Sequence, residues 1–205
     1  PDCGYLYYAK AVDFAKIPGS PIAYWVSEQV FSIFRDSSCL KDVSSLKQGL
    51  ITGNNDRFLR FWHEVNFSRI GFSMKSCEET TKSGKKWFPI SKGGDFKKWY
   101  GNQDWVVNWA HDGQEIKHYG EEDGKIRSRP QNTDSYFAEG ITWSALSSSS
   151  TSMRVHNNGF IFSDKGQALF PYSLNHKYSL LSFLNSSVTS YFLSIISPTL
   201  DFHSG

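Results

Sequence analysis

Apolar positions recur at helical spacing in two parts of the chain, one near each end. In 20–35, SPIAYWVSEQVFSIFR, Ile22, Trp25, Val26, Val30 and Phe34 fall on one face. Ser20 precedes Pro21 as an N-cap precedes a first-turn proline, so the pattern predicts a helix from there. In 177–196, KYSLLSFLNSSVTSYFLSII, the periodicity breaks at Asn185-Ser186-Ser187, which predicts two short amphipathic helices joined by a turn. Between these ends the apolar runs are brief, aromatic or β-branched, and bounded by turn residues. LKQGLI (46–51), FLRFWHEV, RIGFSM, WFPI, WVVNW, GITWSAL (140–146), SMRVH (152–156) and GFIFSD (159–164) read as short strands. The stretch 78–135 is polar, with turns at SGKK, KGGD, GNQD, HDGQ and EEDGK, and the serine run 147–150 reads as a loop. Helix, many strands, then a helix pair predicts an α+β fold. A helical connector is expected over 1–45 and a strand-rich domain over 46–205.

Composition narrows the picture. With 205 residues, 39% hydrophobic and 16% aromatic, the chain can fill one sizeable core. A formal net charge of +2 excludes a uniformly basic nucleic-acid binder, so any phosphate-binding surface must be local. Cys3, Cys39 and Cys77 are far apart, form no C-x-x-C pair, and suit a reducing cytoplasm. No run of about 18 apolar residues and no basic-then-apolar leader occurs, so no membrane partner is expected. The chain opens on Pro1 and closes on SIISPTLDFHSG without a cap, which reads as a piece of something longer.

The pattern of an independent enzyme is missing. Six histidines are scattered, none in a nucleophile context, and there is no G-x-x-x-x-G-K-[ST] loop. Asp104, Asp112, Glu115, Glu121, Glu122 and Asp123 read as solvated acidic loops rather than metal ligands.

Recognition chemistry is richer. KQGLITGNNDRF places Thr52, Asn54, Asn55 and Arg57 in a turn around Gly53. Asparagine side chains can read adenine edges there, or the segment is simply a tight turn with positive φ. Arg127 and Arg129 in KIRSRP share a face if extended, where they would span phosphates or keep an edge strand soluble. Ser149 and Arg154 suggest a second projecting element. KWFPISKGGDFKKWYGNQDWVVNW, 86–109, mixes seven aromatic residues with Lys92, Lys97 and Lys98 near KGGD. Most of these aromatics read as core, because wholly exposed tryptophan clusters are rare, and the lysines remain candidates for phosphate contact.

QGLITGNNDRFLRFWHEV, the 86–109 block with its continuation AHDGQEIK, YFAEGITWSALSSS, GFIFSDKGQALFP and LLSFLNSSVTSYFLSIISPTL together resemble the C-terminal part of the PglX family. These are the adenine-specific DNA methyltransferases of BREX phage-defence systems, which resemble restriction-modification systems. The resemblance implies a target-recognition domain similar to those of TaqI-type methyltransferases and type I specificity subunits, reading double-stranded DNA in the bacterial cytoplasm. In such enzymes a separate catalytic domain uses S-adenosylmethionine and carries N-P-P-[YFW]; that triplet is absent here, so the segment is expected to hold no cofactor and to be inactive alone. Expected partners are DNA, the catalytic domain of the same polypeptide and other BREX proteins. Within the resemblance, 52–57 is expected to position DNA and 127–154 to read bases. The alternative is a protein-interaction module that docks other BREX components or an acidic DNA-mimic inhibitor.

Overall fold

In the computed structural model, which describes residues 10–146 and 152–197, the short apolar runs pair into two four-stranded sheets. In chain order the elements are α1 (Ala11–Phe14), α2 (Glu28–Asp36), β1 (Ser44–Lys47), α3 (Asn55–Phe58), β2 (Leu59–Phe61), α4 (Cys77–Ser83), β3 (Trp87–Ser91), β4 (Trp105–Asn108), α5 (Ala110–Lys117), β5 (Gly140–Trp143), β6 (Met153–His156), β7 (Ile161–Phe162), β8 (Ala168–Pro171), α6 (Lys177–Leu184) and α7 (Ser187–Ile196). The class is α+β. One sheet runs β1-β8-β5-β6 and is antiparallel throughout. The other runs β2-β4-β3-β7, with β7 parallel to β3. Pro89 is tolerated inside β3 because it falls between the Ile70–Trp87 bridge and the start of β7 pairing at Ile90, where no neighbour asks for its missing N–H.

Each sheet has its own core. Phe88, Ile90, Val107 and Phe162 of the second sheet pack with Phe58, Trp109 and Phe137, all essentially without solvent contact. Ile141, Trp143 and Leu169 of the first sheet pack against Leu181 and Leu184 of α6. Each such side chain contributes roughly 1.5–3 kcal/mol of burial free energy. The α6–α7 break is fixed by two devices. Ser186 caps α7 by accepting from Thr189 N–H at 3.2 Å, and the Asn185 carboxamide exchanges two hydrogen bonds with the Met153 backbone, at 3.0 and 2.9 Å. The helix pair is bent by 74°, and among the described residues no single helix is long and apolar enough to cross a membrane.

Several expectations are corrected. The helix expected from Ser20, α2, begins at Glu28 instead, because Ser20 has φ 48° and the chain makes tight turns through Pro21 and Ala23 before reaching the extended Ser27. Ile22 and Trp25 are therefore exposed, while Ala23, Val26 and Phe31 pack with Ile17 and Ile195 of α7. RIGFSM is a turn followed by one bridge, since Gly71 is pressed against the Phe88 ring. The polar middle also contains α4 and α5, and the expected HDGQ turn survives at the start of α5, where His111, Asp112 and Gly113 have φ 51°, 57° and 70°. The predicted strands of β3, β4, β5, β6 and β7 are present, and so is the helix pair. Beside the third cluster, Ile33, Phe34, Phe183, Phe192 and Ile196 line an apolar depression of about 380 Å³ between α2 and the helix pair.

Candidate nucleic-acid interface

The chain crosses from one sheet to the other four times, and two of the crossings, leaving β1 and leaving β7, lie side by side. After β1, Gly49 passes so close to Phe162 that a Cβ would sit 1.9 Å from its carbonyl oxygen. Leu50 N–H then donates to the Phe162 carbonyl at 2.9 Å, and Asp164 N–H returns the bond to Leu50 at 3.2 Å. This pairing delivers 52–55 to one rim of a cavity of about 270 Å³, with Ser163, Asp164 and Lys165 on another. A second depression of about 280 Å³ shares Asn55, Leu59 and Lys92 with it and adds Arg60 and Trp105.

The turn itself is built tightly. Gly53 has φ 72°, and a Cβ there would lie 2.8 Å from the Arg127 carbonyl. Asn54 is the N-cap of α3: its side-chain oxygen accepts from Arg57 N–H at 3.0 Å while its amide donates to the Tyr119 hydroxyl at 3.1 Å. Both ends of that carboxamide are committed. Asn55 differs, because among the described residues only its oxygen is engaged, accepting from the buried Thr52 hydroxyl at 2.6 Å, and its residue is exposed at the cavity rim. The segment 127–129 lies beside this turn through reciprocal Ile51–Arg129 backbone bonds at 3.0 and 2.8 Å.

The cations differ in how they are compensated. Arg57 pairs with Glu115 at 3.0 Å and lies over the Tyr119 ring, and Arg127 pairs with Asp123 beside the same ring. The Asn54 hydrogen bond, helped by Arg127 and Arg57, holds the Tyr119 hydroxyl below its ordinary pKa. Arg129 is exposed and has no carboxylate partner among the described residues. Lys92 Nζ sits 3.9 Å from the Trp105 ring centroid, and burial lowers its pKa. Among the described residues no three His, Cys, Asp or Glu side chains gather as metal ligands.

The remaining candidates lie elsewhere. Lys97 is exposed, and Lys98 Nζ donates to the Asn185 carbonyl at 2.8 Å, bracing the helix-pair joint. Ser149 lies outside the described residues. Arg154 is a correction: it stands on β6, not on a projecting loop, and is 1% exposed, so its side chain does not face a base. Its guanidinium donates to Ser144 Oγ at 3.1 Å, Ser152 Oγ at 3.1 Å and the Lys97 carbonyl at 3.3 Å. The 86–109 block divides. Phe88 and Trp109 are buried, Trp87 and Trp105 half-buried, and Phe96, Trp99 and Tyr100 exposed. Asp164, Lys165 and Arg60 also line the two depressions; they lie in the blocks that carry the family resemblance but are not among the expected site residues, and the crossing of the sheets brings them there.

No protein-family model matches the chain. It is 43% identical over 207 residues to the adenine-specific methyltransferase PglX of Lacticaseibacillus casei strain Zhang, covering 100% of this chain and 17% of that protein. It is 38% identical over 196 residues to the adenine-specific methyltransferase BrxX of Escherichia coli O9:H4 strain HS, covering 94% of this chain and 15% of that protein. The chain thus spans about a sixth of the length of these relatives. It belongs with the PglX and BrxX adenine-specific methyltransferases, as the counterpart of a C-terminal segment of them.

Proposed function

We propose that the chain is the DNA-recognition segment of a bacterial, cytoplasmic adenine-N6 DNA methyltransferase of the phage-defence type, reading duplex DNA for a catalytic domain elsewhere in the same polypeptide. In this reading 46–205 form a target-recognition domain of the kind found in TaqI-type enzymes, 1–45 connect it to the rest, and S-adenosylmethionine binds the catalytic domain alone. One observation carries it. The sheet crossing gathers Asn55 and Lys92 around one rim, and Arg129 joins that rim's wall through its backbone bonds to Ile51; among the described residues neither cation has a carboxylate partner and the Asn55 N–H groups donate no hydrogen bond. Such cations supply phosphate contacts, and such an amide suits an acceptor on a base edge or a phosphate.

The test uses the full-length parent enzyme. Lys92→Gln and Arg129→Gln are each expected to lower the slope of log affinity against log salt by about 1 while leaving the methylated sequence unchanged. Unchanged slopes in both variants would remove this surface from the interface.

A further inference from the structure

Three large aromatic residues within five positions, Phe96, Trp99 and Tyr100, are 50%, 49% and 64% exposed. Apolar surface of this kind needs a reason. The fold does not merely fail to cover them; it holds them out. Trp99 has φ 75°, a backbone region that bulky side chains enter rarely and at a cost. Two bonds to β6 keep it there: Trp99 N–H donates to the Met153 carbonyl and its own carbonyl accepts from Val155 N–H, both at 2.9 Å. Asn102 closes the loop by donating to the Asp95 carbonyl at 2.8 Å, and Lys98 Nζ ties it to Asn185.

Arg154 completes the scaffold. A buried guanidinium ordinarily has a carboxylate partner, yet among the described residues Arg154 has none. Its bonds instead join the Lys97 carbonyl to Ser144 and Ser152, so a buried charge is used to fix the base of the aromatic loop. The loop is also cationic. Lys92, Lys97 and Lys98 face a single acid, Asp95, in 92–100.

We propose that this loop is a stacking surface for a nucleobase exposed when duplex DNA is opened, with Arg154 as its positioning residue. The inference rests on the DNA-recognition reading above and deepens it. Bases inside a duplex show only their edges, whereas an unstacked base shows a π-face, and base–aromatic stacking is tolerant of sequence. Enzymes that modify a base take it out of the stack, which opens the duplex where such a surface would act. Lysines beside the aromatics match the phosphates flanking an opened step.

The experiment measures affinity and salt slope of the full-length parent enzyme on a duplex of its own methylated sequence, fully paired or with an abasic position opposite the target adenine. Trp99→Ala is expected to weaken binding to the opened duplex roughly tenfold with the salt slope unchanged, and Trp99→Phe to restore most of it. Tyr100→Ala carries the same test if Trp99→Ala fails to fold. Wild-type affinity in both alanine variants, or a loss confined to the salt slope, overturns the stacking surface. If Lys92→Gln and Arg129→Gln also leave the slope untouched, the DNA-recognition reading fails; if they change it, only the stacking inference does.

Discussion

His156 shows how much one residue can impose on the fold. It is wholly buried, its Nδ1 shares a 2.9 Å hydrogen bond with Ser91 Oγ, and the rings of Phe160, Phe162 and Phe170 surround it edge-on. Burial pushes its pKa down from 6.5 to about 4. The unfolded chain therefore binds a proton between those values that the folded chain does not, so stability is complete above pH 6.5 and falls as pH drops toward 4. The loss is expected to reach on the order of 3 kcal/mol. Asp13, Asp36 and Asp134, held low by Lys16, Arg35 and Lys47, add their own losses only below the ordinary 3.8. Denaturant unfolding followed from pH 7.5 to 4.5 checks this, and a flat profile in the wild-type chain together with an identical one in His156→Phe would contradict it. Arg154 makes a second residue-scale case. Arg154→Lys keeps the charge but cannot span Lys97, Ser144 and Ser152 at once, so a cost of about 2–4 kcal/mol in unfolding free energy is expected. The methylated sequence read from genomic DNA should stay the same, and a changed sequence would return Arg154 to base readout.

At the scale of elements, the strands were legible because their apolar runs are short and aromatic, and the helix pair because Asn185-Ser186-Ser187 interrupts a helical period. Helix α4 was legible too, in a signal passed over. Ser76 accepts from Glu79 N–H, the Glu79 carboxylate accepts from Lys75 N–H, and Gly84 ends the helix at φ 63°. The start of α2 was not, since Ser20-Pro21 imitates a cap that the left-handed Ser20 cannot form. The candidate site divides the same way. Gly53 and Asn54 announce a turn, but nothing local tells that Arg127 will lie against it or that Arg154 will point inward; long-range pairing decides both. Gly53→Ala combines a positive φ with a Cβ pressed onto the Arg127 backbone, so it should destabilise by about 1–3 kcal/mol and weaken DNA affinity. Thermal unfolding and a binding titration on the same variant check this, and an unaffected turn would leave both at wild-type values.

Over the whole molecule, the polar side chains of the proposed interface sit where the sheets exchange chain, while apolar side chains remain uncovered near α2 and α7. Ile33, Phe183 and Ile196 are 45%, 55% and 39% exposed around the depression between those helices. In the relatives this segment is about a sixth of a much larger polypeptide. A greasy dimple of this kind has a colloidal consequence for the segment expressed by itself. Molecules should attract one another through it, giving a negative second virial coefficient in static light scattering that mild non-ionic detergent drives toward zero. Added salt should not weaken that attraction, because it screens charge and leaves apolar contact in place. Ile33→Glu and Phe183→Glu should each make the coefficient more positive; if neither does, whatever stickiness the segment shows originates on another face.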